Sequence, residues 1–440
     1  MLQPAAVSSF GESCRVAQTT GGTGVRTYCK PKDVNIEDLA FIKPAVHRAF
    51  SGKLKKASFR NLLLSTGKIT KEQLAQERRD HSCNQILVAI DEVAEWAVER
   101  IRERDLQLKP VRQFTREDGH SGKVRDICQE SPEQQVFEYI AKYSLEPLFR
   151  AKLLHCQYGS IPGKGQLGGK RRIERMIRKK FHGKIDEVKC DIKKAYPSTT
   201  IEMVMNLLRR DIGKNKVLLW FIEAVMSNYP DGVLLIGGYL SCWLFNYVMS
   251  YVLRHLMEQA KFRRGKRLPM VWGIVSYADD FSLYGRMSNL ERAIKKTVRW
   301  AAETLGLSVK SAWQICHVAS FAEERRQHKE RQRGSHRRTP GIDMVGYVVR
   351  RTYTIIRGRI FVRLRRQILR AGRDLERLGY IPWWRAQKIL SYWGWLKHSD
   401  SKGFCKANNV YKIVRAAKSS VSWHSKMKAR AMNEIGAVCA

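Results

Sequence analysis

The sequence predicts a mixed α+β fold, with helices and strands concentrated in separate stretches of the chain. Helical patterns dominate from Asn35 to about Leu108, where apolar residues recur at a spacing of three to four. Runs of β-branched and aromatic residues flank Asp279 on both sides, and another strand-like run ends at Asp191. At 440 residues the chain can bury a substantial core in about two or three compact units.

The amino-terminal region divides into two segments of different composition. Residues 1–35 are rich in Gly, Ser, Thr and Ala with little periodicity, so we interpret them as a loose leader. They have no basic start followed by an apolar core, so no signal peptide is expected. Residues 36–108 are predicted to form a helical extension, whose clearest helix runs from Gln85 to Ile101. A packing role and an RNA-binding role fit this extension equally well.

Two local patterns follow the extension. Pro110 to Arg125 is predicted to be a short hairpin with Asp118-Gly119 at its turn. Gln134 to Leu148 has the periodicity of an amphipathic helix. Both elements therefore precede the glycine-rich stretch that begins at Gly159.

That glycine-rich stretch, from Gly159 to Lys170, has the composition of a phosphate-binding P-loop but not its spacing. Only three residues separate Gly159 from Gly163, and no Ser or Thr follows Lys164. A flexible loop that leads into a basic helix, residues 171–180, is the better interpretation. Its amides and basic side chains are expected to contact nucleic-acid phosphates. The candidate residues are Lys164, Lys170, Arg171 and Arg172.

Acidic residues occur at two places where strands are predicted to end. Asp191 closes one strand, and Tyr277-Ala278-Asp279-Asp280 forms the tip of a hairpin between two others. Adjacent like charges repel and resist burial, so Asp279 and Asp280 need a compensating cation. Mg²⁺ suits such hard oxygen ligands, and three carboxylates can surround two ions ~4 Å apart for phosphoryl transfer. Taken alone, the four-residue motif also fits an ordinary solvated turn.

One stretch imitates a membrane span. Residues 233–253 contain no charged side chain over 21 positions, which is long enough to cross a bilayer. The same stretch contains Gly237, Gly238, Ser241 and Asn246, which disfavour a lipid-exposed helix. We therefore predict a buried helix and no membrane association.

The charge balance indicates a polyanionic partner. Lys and Arg total 81 against 41 Asp and Glu, which gives a net charge of +40. Such a surplus favours nucleic acid, bound with a strong dependence on salt. A membrane surface or general stickiness is the alternative, but the basic residues interleave with aromatics, which suits stacking on bases.

Cysteine usage indicates a reducing compartment. The ten cysteines are scattered without a Cys-X-X-Cys pair or a Cys/His block. This pattern argues against a disulfide framework and against a structural zinc site. A cytoplasmic location is therefore expected.

The carboxyl-terminal part is strongly basic. Residues 321–338 are predicted to be a solvated loop, and an RNA-binding role for it is equally compatible with its charge. From Phe361 onward arginines recur along a predicted helix, and tryptophans and tyrosines follow at residues 383–395. Most of these aromatics are expected to pack between helices.

Together these patterns resemble those of reverse transcriptases. The palm of that family carries an aspartate, an aromatic five residues later, and then a Tyr-X-Asp-Asp hairpin. Asp191, Tyr196, Asp279 and Asp280 match it residue by residue. Further matches follow the family's order over roughly residues 110–350: Phe114-Thr115-Arg116 and Gly122-Lys123-Val124-Arg125, Gly237 to Ser241 with Asn246, Leu305 to Lys310, and Ile342 to Tyr347. The chain departs from bacterial relatives at Leu234-Leu235-Ile236, where those relatives usually carry a Gly-Leu-Pro-like sequence, so its subfamily is not assigned by this motif.

The resemblance implies a right-hand polymerase fold. Fingers are expected at residues 109–188 and a palm with an antiparallel sheet and helices at residues 189–350. The palm would include a helical insert at about 201–230 and the basic loop at 321–340. A basic helical thumb is expected at residues 351–440.

The resemblance also implies roles for individual residues. Two Mg²⁺ ions, replaceable by Mn²⁺, would be held by Asp191, Ile192, Asp279 and Asp280, and Lys310 would protonate the leaving pyrophosphate. The nucleotide-binding residues would be Arg116, Lys123, Arg125, Tyr196, Gly237 and Ser241. Nucleic acid would contact Lys164, Lys170, Arg171, Arg172, Tyr347, Arg363 and Arg366.

The implied function is polymerisation of dNTPs on an RNA template, with a DNA product or primer. The expected template is a dedicated structured non-coding RNA, as in compact bacterial enzymes of the defence-associated, diversity-generating or retron-like kind. Three alternatives remain: an RNA-dependent RNA polymerase, an untemplated or protein-primed DNA polymerase, and a non-catalytic maturase-like RNA-binding protein. The sequence leaves a homo-oligomer open.

Overall fold

The computed structural model describes residues 27–117, 124–334 and 339–438, and it shows a mixed α+β protein. Helices make up most of the secondary structure, and the strands form small antiparallel sheets. The leader before residue 27, the predicted turn Asp118-Gly119 with Lys123, and Arg337 with Arg338 lie outside the described residues.

The amino-terminal extension is helical, as the sequence predicts. Its helices are α1 (Leu39–Phe50), α2 (Ala57–Thr66), α3 (Lys71–Asp80) and α4 (Asn84–Arg102). Helix α3 begins at a capping box, in which Thr70 and Gln73 each accept the other's backbone N–H. The long helix α4 packs against α1, α2 and α3 through one apolar face.

The prediction of a loose leader is wrong for its last residues, because some of them are part of the core. The Asn215 side-chain amide donates to the carbonyl oxygens of Cys29 and Val34, at 3.0 and 2.9 Å. Both Cys29 and Val34 are buried. Asn215 lies 186 positions after Cys29, so this contact leaves no mark on the local composition.

The region after the extension contains the predicted hairpin, formed by β1 (Arg112–Glu117) and β2 (Val124–Gln129). The single amphipathic helix predicted at 134–148 is instead two helices, α5 (Pro132–Ser144) and α6 (Glu146–Lys152). Pro147 explains the break, because it lacks a backbone N–H and lies in the first turn of α6. Helix α7 (Gly165–Arg175) continues into a π-helical turn, Met176–Lys180.

A four-stranded antiparallel sheet forms the middle of the protein, with the strand order β6-β7-β3-β8. Strands β4 and β5 form a separate hairpin. The elements of this region, in chain order, are β3 (Ile185–Asp191), α8 (Ile201–Ile212), α9 (Lys216–Ser227), α10 (Tyr239–Glu258), β4 (Ala260–Arg263), β5 (Lys266–Pro269), β6 (Val271–Tyr277), β7 (Asp280–Gly285), α11 (Met287–Leu305) and β8 (Gln314–Val318).

Both faces of the four-stranded sheet are covered by apolar side chains. Val188 and Cys190 face a core that includes α10 and α11. Val275 and Tyr284 face a second core, formed with α7 and the carboxyl-terminal helices. Because each face is buried, the register that places side chains on one face or the other is strongly specified.

The prediction of a basic loop at 321–340 is wrong for its first part, which forms helix α12 (Phe321–Gln332). Ser320 and Glu323 form a capping box at its start, and buried Glu324 accepts the Arg351 N–H at 2.8 Å. The remaining elements are β9 (Ile342–Met344), β10 (Tyr347–Val349), β11 (Thr354–Ile356), α13 (Gly358–Leu378), α14 (Trp383–Lys397), α15 (Lys402–Ala407) and α16 (Val410–Val438). Helices α13, α14 and α16 pack against one another.

The uncharged stretch at residues 233–253 is a buried helix, as predicted. Most of it lies in α10, whose side chains Leu244, Val248 and Val252 are fully buried. Within the described residues, no helix has the length and apolar character needed to cross a bilayer.

Candidate functional site

The structure brings the three predicted acids together at one edge of the four-stranded sheet. Asp191, at the end of β3, lies directly opposite Asp280 at the start of β7. Asp279 occupies the tight turn between β6 and β7, where Tyr277 pairs with Asp280. The Ile192 N–H donates to the Asp279 carbonyl oxygen at 3.3 Å, which ties the end of β3 to the turn. Directly opposed residues have Cα atoms only about 5 Å apart, so these carboxylates share one site.

Two lysines partly neutralise this site. Lys310 Nζ lies 2.6 Å from Asp191 Oδ1, and Lys189 Nζ lies 3.2 Å from Asp280 Oδ2. The Lys310 N–H also donates to the Asp191 carbonyl oxygen at 2.9 Å, which fixes the backbone beside the acid. Lys189 was not predicted, although it lies two positions before Asp191 and therefore on the same face of β3.

Asp279 is the most electrostatically strained of the three acids. Burial raises its pKa above the usual range, and the negative charges of Asp191 and Asp280 raise it further. Of the three, Asp279 is also the one for which the structure shows no ion pair with a described lysine or arginine. A cation bound beside Asp279 would relieve both effects.

The donor set fits divalent metal ions, although the side chains are not arranged around one point. Among residues 27–117, 124–334 and 339–438, no group of three or more His, Cys, Asp and Glu side chains has metal-binding geometry. Asp191 and Asp280 are turned toward their lysines instead. Asp191 Oδ1 is buried and faces the Lys310 ammonium without a hydrogen bond of good geometry, so a divalent cation that uses this hard oxygen as a ligand would replace that ammonium. Ile192, the remaining predicted ligand, buries its side chain and borders the site only through its backbone.

The turn that carries Asp279 has an unusual backbone. Ala278 adopts φ = 54°, a left-handed conformation that residues with a Cβ seldom occupy. Two-residue hairpin turns require such a conformation, and glycine is the usual residue there. The surrounding structure must therefore hold this turn in place.

Gly159 packs directly against that turn. A Cβ atom on Gly159 would lie 2.4 Å from the Ala278 backbone nitrogen. The neighbouring segment is bonded to β6, since the Tyr158 N–H donates to the Ser276 carbonyl and the Ser276 N–H donates to the Cys156 carbonyl, each at 2.8 Å. Only glycine allows this close approach of two backbones.

A buried amide pair connects the same segment to α10. Gln157 Nε2 donates to the Asn246 carbonyl oxygen at 2.7 Å, and Asn246 Nδ2 donates to the Gly159 carbonyl oxygen at 3.0 Å. Gln157 and Asn246 are almost completely buried. The Tyr277–Asp280 turn is thus supported from behind by a hydrogen-bonded segment anchored on α10.

A cavity of about 650 Å³ lies beside Tyr196. Its walls come from the α1–α2 connection, the β1–β2 hairpin and the loop Gly237–Tyr239. The Tyr196 ring stacks on Phe245 with centroids 5.1 Å apart. Burial raises the pKa of Tyr196, and the charges of Cys242 and Asp279 contribute. Tyr196 therefore lies between the acidic edge and this cavity.

Gly237 shapes the wall of the cavity through its backbone. It adopts φ = 104°, and a Cβ there would lie 3.2 Å from the Cys128 carbonyl oxygen on β2. The Cys128 N–H donates to the Ile236 carbonyl oxygen at 3.0 Å. The loop is thereby joined to the hairpin through a close backbone contact that requires glycine.

The predicted phosphate-binding arginines lie on the β1–β2 hairpin. Arg116 and Arg125 are directly opposite each other across the two strands, and both are exposed. Two guanidinium groups on neighbouring strands suit the oxygens of a phosphate chain. The third predicted residue, Lys123, lies outside the described residues.

Four of the predicted binding residues make contacts within the protein instead. Ser241 is fully buried and its Oγ accepts the Leu235 N–H at 3.0 Å, so it shapes the loop and cannot contact a nucleotide. Tyr347 is buried against Trp395. Lys164 donates to the Leu154 carbonyl oxygen, and Lys170 pairs with Glu174.

The other predicted nucleic-acid contacts have accessible side chains. Arg171 and Arg366 are exposed, and Arg363 is partly exposed. Arg172 is partly buried and contacts His155 Nε2 at 3.2 Å. Arg363 and Arg366 lie on α13, whose other face buries Leu364 and Ile368 in the second core.

Comparisons with known proteins supply no family assignment. A scan against protein-family models found no match, and a search of curated proteins found no significantly similar sequence. The functional interpretation therefore depends on the geometry and the chemistry of the residues described above.

Proposed function

We propose that the protein is a reverse transcriptase that polymerises dNTPs on an RNA template. One observation carries the proposal: Asp191 lies opposite Asp280 beside the Asp279 turn, and Tyr196, which is close enough to Asp279 to be affected by its charge, lines the neighbouring cavity. The spacing of these residues along the chain is the one found in the palm of that family. In this proposal, residues 109–188 are the fingers, 189–350 the palm and 351–440 the thumb.

The acidic edge would hold two Mg²⁺ ions, which Mn²⁺ can replace. When bound, the ions would activate the primer 3′-hydroxyl and neutralise the triphosphate. Asp191 and Asp279 would be the principal ligands, with Asp280 in support. Lys189 already faces Asp280 and would limit the negative charge that this edge accumulates.

The β1–β2 hairpin and Tyr196 would bind the incoming nucleotide. Arg116 and Arg125 would hold the phosphates, with Arg125 the stronger candidate because its fork favours bidentate contact. The Tyr196 ring, supported by Phe245, would exclude a 2′-hydroxyl by steric contact. Lys310, beside Asp191, would give a proton to the departing pyrophosphate.

The strongly basic surface supports nucleic acid as the partner. The net charge of +40 favours a nucleic-acid partner. The resemblance to reverse transcriptases implies that this partner is a structured RNA template together with a DNA product or primer. Arg366 on α13 is exposed on the side opposite the second core, in a position to contact a duplex backbone. A bacterial defence or retroelement role would supply the dedicated RNA.

The Asp279→Asn variant tests the proposal. We expect primer extension to fall by roughly a thousandfold or more, because the substitution removes a metal-binding carboxylate. RNA binding, measured by fluorescence anisotropy, should stay within about twofold, because charge elsewhere dominates it. Asp80→Asn, an exposed position on α3, is the matched control. Retained synthesis in the Asp279 variant would refute the metal assignment.

Substrate preference separates this proposal from its nearest rivals. We expect dNTP incorporation on a primed RNA template, and Tyr196→Val should raise NTP incorporation by roughly a hundredfold. A preference of the unaltered protein for NTPs would identify an RNA polymerase. Extension with a single dNTP and no template would identify an untemplated or protein-primed enzyme, and RNA binding without synthesis would identify a maturase-like protein.

A further inference from the structure

The amino-terminal extension forms part of the Tyr196 cavity. Lys53 and Lys56, from the connection between α1 and α2, line it together with residues of the β1–β2 hairpin. The connection is anchored, because Lys53 Nζ donates to Gln135 Oε1 at 2.9 Å and lies 4.4 Å from the Tyr139 ring centroid. The extension therefore contributes positive charge to the candidate site.

These lysines are separate from the predicted phosphate-binding arginines. Arg116 pairs with Arg125 near the tip of the hairpin, whereas the hairpin residues that line the cavity begin at the Phe114–Ile127 pair and continue to Gln129. Two residues of antiparallel strand span roughly 7 Å, so the arginines lie beyond the outer end of the cavity wall. If the arginines hold the triphosphate, the lysines are available to a different phosphate.

The cavity also has the aromatic character of a single-strand binding site. Phe114 on β1 is 39% exposed and lines the cavity. Tyr139 and Tyr239 stack with centroids 3.9 Å apart in the same wall. Of these three rings Phe114 is the exposed one, and an exposed aromatic ring beside lysines is the combination that binds the bases and backbone of unpaired nucleotides.

Lys53 and Lys56 differ in how much charge they can offer. Burial is the main cause that lowers the pKa of Lys53 to about 8, and the Lys56 charge lowers it further. The negative charge of Glu130, which is buried in the same wall, raises the pKa of Lys53 and so opposes part of this decrease. Lys56 is exposed, so it has the larger share of any contact with a phosphate.

We propose that the α1–α2 connection binds a backbone phosphate of the template strand, in the unpaired segment ahead of the nucleotide being copied. This inference rests on the proposed function, and it assigns a substrate-binding role to the amino-terminal extension. Lys56 contacts the phosphate, Lys53 supports it, and Phe114 contacts a neighbouring base.

Binding of two primer–template duplexes to Lys56→Gln tests this inference. One duplex is blunt at the copying end, and the other carries a six-nucleotide template overhang. We expect binding of the overhang duplex to weaken by about threefold to tenfold, with a salt slope lower by about 0.7. Binding of the blunt duplex should not change.

Lys55→Gln is the matched control, because Lys55 is exposed on the same connection but does not line the cavity. Lys53→Gln should weaken overhang binding, as Lys56→Gln does, and Lys53→Arg should retain it.

Equal losses on both duplexes, or the same loss in the Lys55 variant, would overturn the inference. A raised KM for dNTP with unchanged overhang binding would overturn it as well, by assigning the lysines to the triphosphate. If the unaltered protein binds the overhang duplex more tightly than the blunt one but does not polymerise, the proposed function fails and the overhang site remains.

Discussion

Two groups of acidic residues in this molecule are stabilised against their mutual repulsion by different kinds of partner. The acidic edge formed by Asp191, Asp279 and Asp280 is partly exposed and has lysines as its partners. The pair Glu130 and Glu138 is buried and has hydrogen-bond donors as its partners. The pKa values of Asp279, Glu130 and Glu138 are all raised, with burial as the largest cause.

The buried pair is satisfied within the protein. Glu138 accepts hydrogen bonds from Tyr229 Oη at 2.7 Å and from the Leu240 N–H at 2.9 Å, and Glu130 accepts from the Tyr239 N–H at 3.2 Å. The Tyr239 and Leu240 amides belong to the first turn of α10, where carboxyl groups are favoured by the helix dipole. A proton held by Glu138 removes the remaining repulsion, so this pair is a structural element.

The negative charges of the acidic edge are only partly neutralised within the protein. Its two lysines offset the charges of Asp191 and Asp280, whereas Asp279 remains close to two other carboxylates. A group of acids that is neither buried with donors nor fully solvated is typical of sites that bind a cation. The comparison therefore distinguishes the acidic edge, for which we propose a bound cation, from a buried pair that a proton is sufficient to neutralise.

Among substitutions outside the three acids, the largest effect is expected from Gly159→Ala, which would displace the Asp279 turn without removing an acid. The new Cβ would lie 2.4 Å from the Ala278 nitrogen, so one of the two backbones must move. Because a misplacement of about 1 Å costs on the order of a hundredfold in rate, we expect a similar fall in primer extension. The buried Glu130–Glu138 pair should be unaffected.

Gly183→Ala is the control for this experiment, because a Cβ there meets no atom within 4 Å. Both variants should bind RNA like the unaltered protein, and primer extension with Mg²⁺ measures the difference. If Gly159→Ala keeps more than half of the activity, the segment around Gly159 does not position the turn.

The next effect distinguishes two roles of Lys310, as a counter-ion of Asp191 and as a proton donor. We expect Lys310→Gln to lower kcat by about a hundredfold, the lower end of the range typical of a lost general acid. Lys310→Arg keeps the positive charge, but a guanidinium stays protonated, so we expect it to be nearly as slow. Single-turnover primer extension measures both variants. Full activity in the arginine variant would limit Lys310 to ion pairing.

The convergence of the acids was predictable from the sequence, because local patterns specify it. Asp191 ends a strand, and a two-residue turn places Asp279 and Asp280 at the tip of a hairpin. When those strands pair in one antiparallel sheet, the acids must meet at the same edge. The capping box Ser320–Glu323 was likewise visible in the sequence, but the density of charge at 321–338 favoured a loop.

Other parts of the site depend on contacts between distant residues and left no local pattern. The motif placed Ser241 correctly along the chain, but its burial follows from the hydrogen bond to Leu235. From the sequence, Gly159 is only the first residue of a glycine-rich loop, whereas in the structure it contacts a turn more than a hundred residues away. The position of Lys56 in the cavity arises from the packing of α1 against α5.

The smallest effect on activity should come from Glu138→Gln, which tests the structural side of the comparison. Burial is the main cause that raises the pKa of Glu138 from 4.5 to about 8, so the folded protein holds this proton at neutral pH. Between those values the folded chain binds more protons than the unfolded chain, so the free energy of unfolding falls as pH rises. The limiting slope is about 1.4 kcal/mol per pH unit for one proton, and it vanishes above the folded-state pKa.

Glutamine imitates the protonated acid without titrating, so Glu138→Gln should remove this slope and leave primer extension within about twofold. Urea unfolding between pH 5 and pH 8 measures the slope, with the exposed Glu95→Gln as the control. Parallel pH dependences in the Glu138 variant and the unaltered protein would mean that Glu138 is ionised when folded. The Glu130–Glu138 pair would then also need a cation, with Lys53 as the nearest candidate, and the distinction between the two acidic groups would fail.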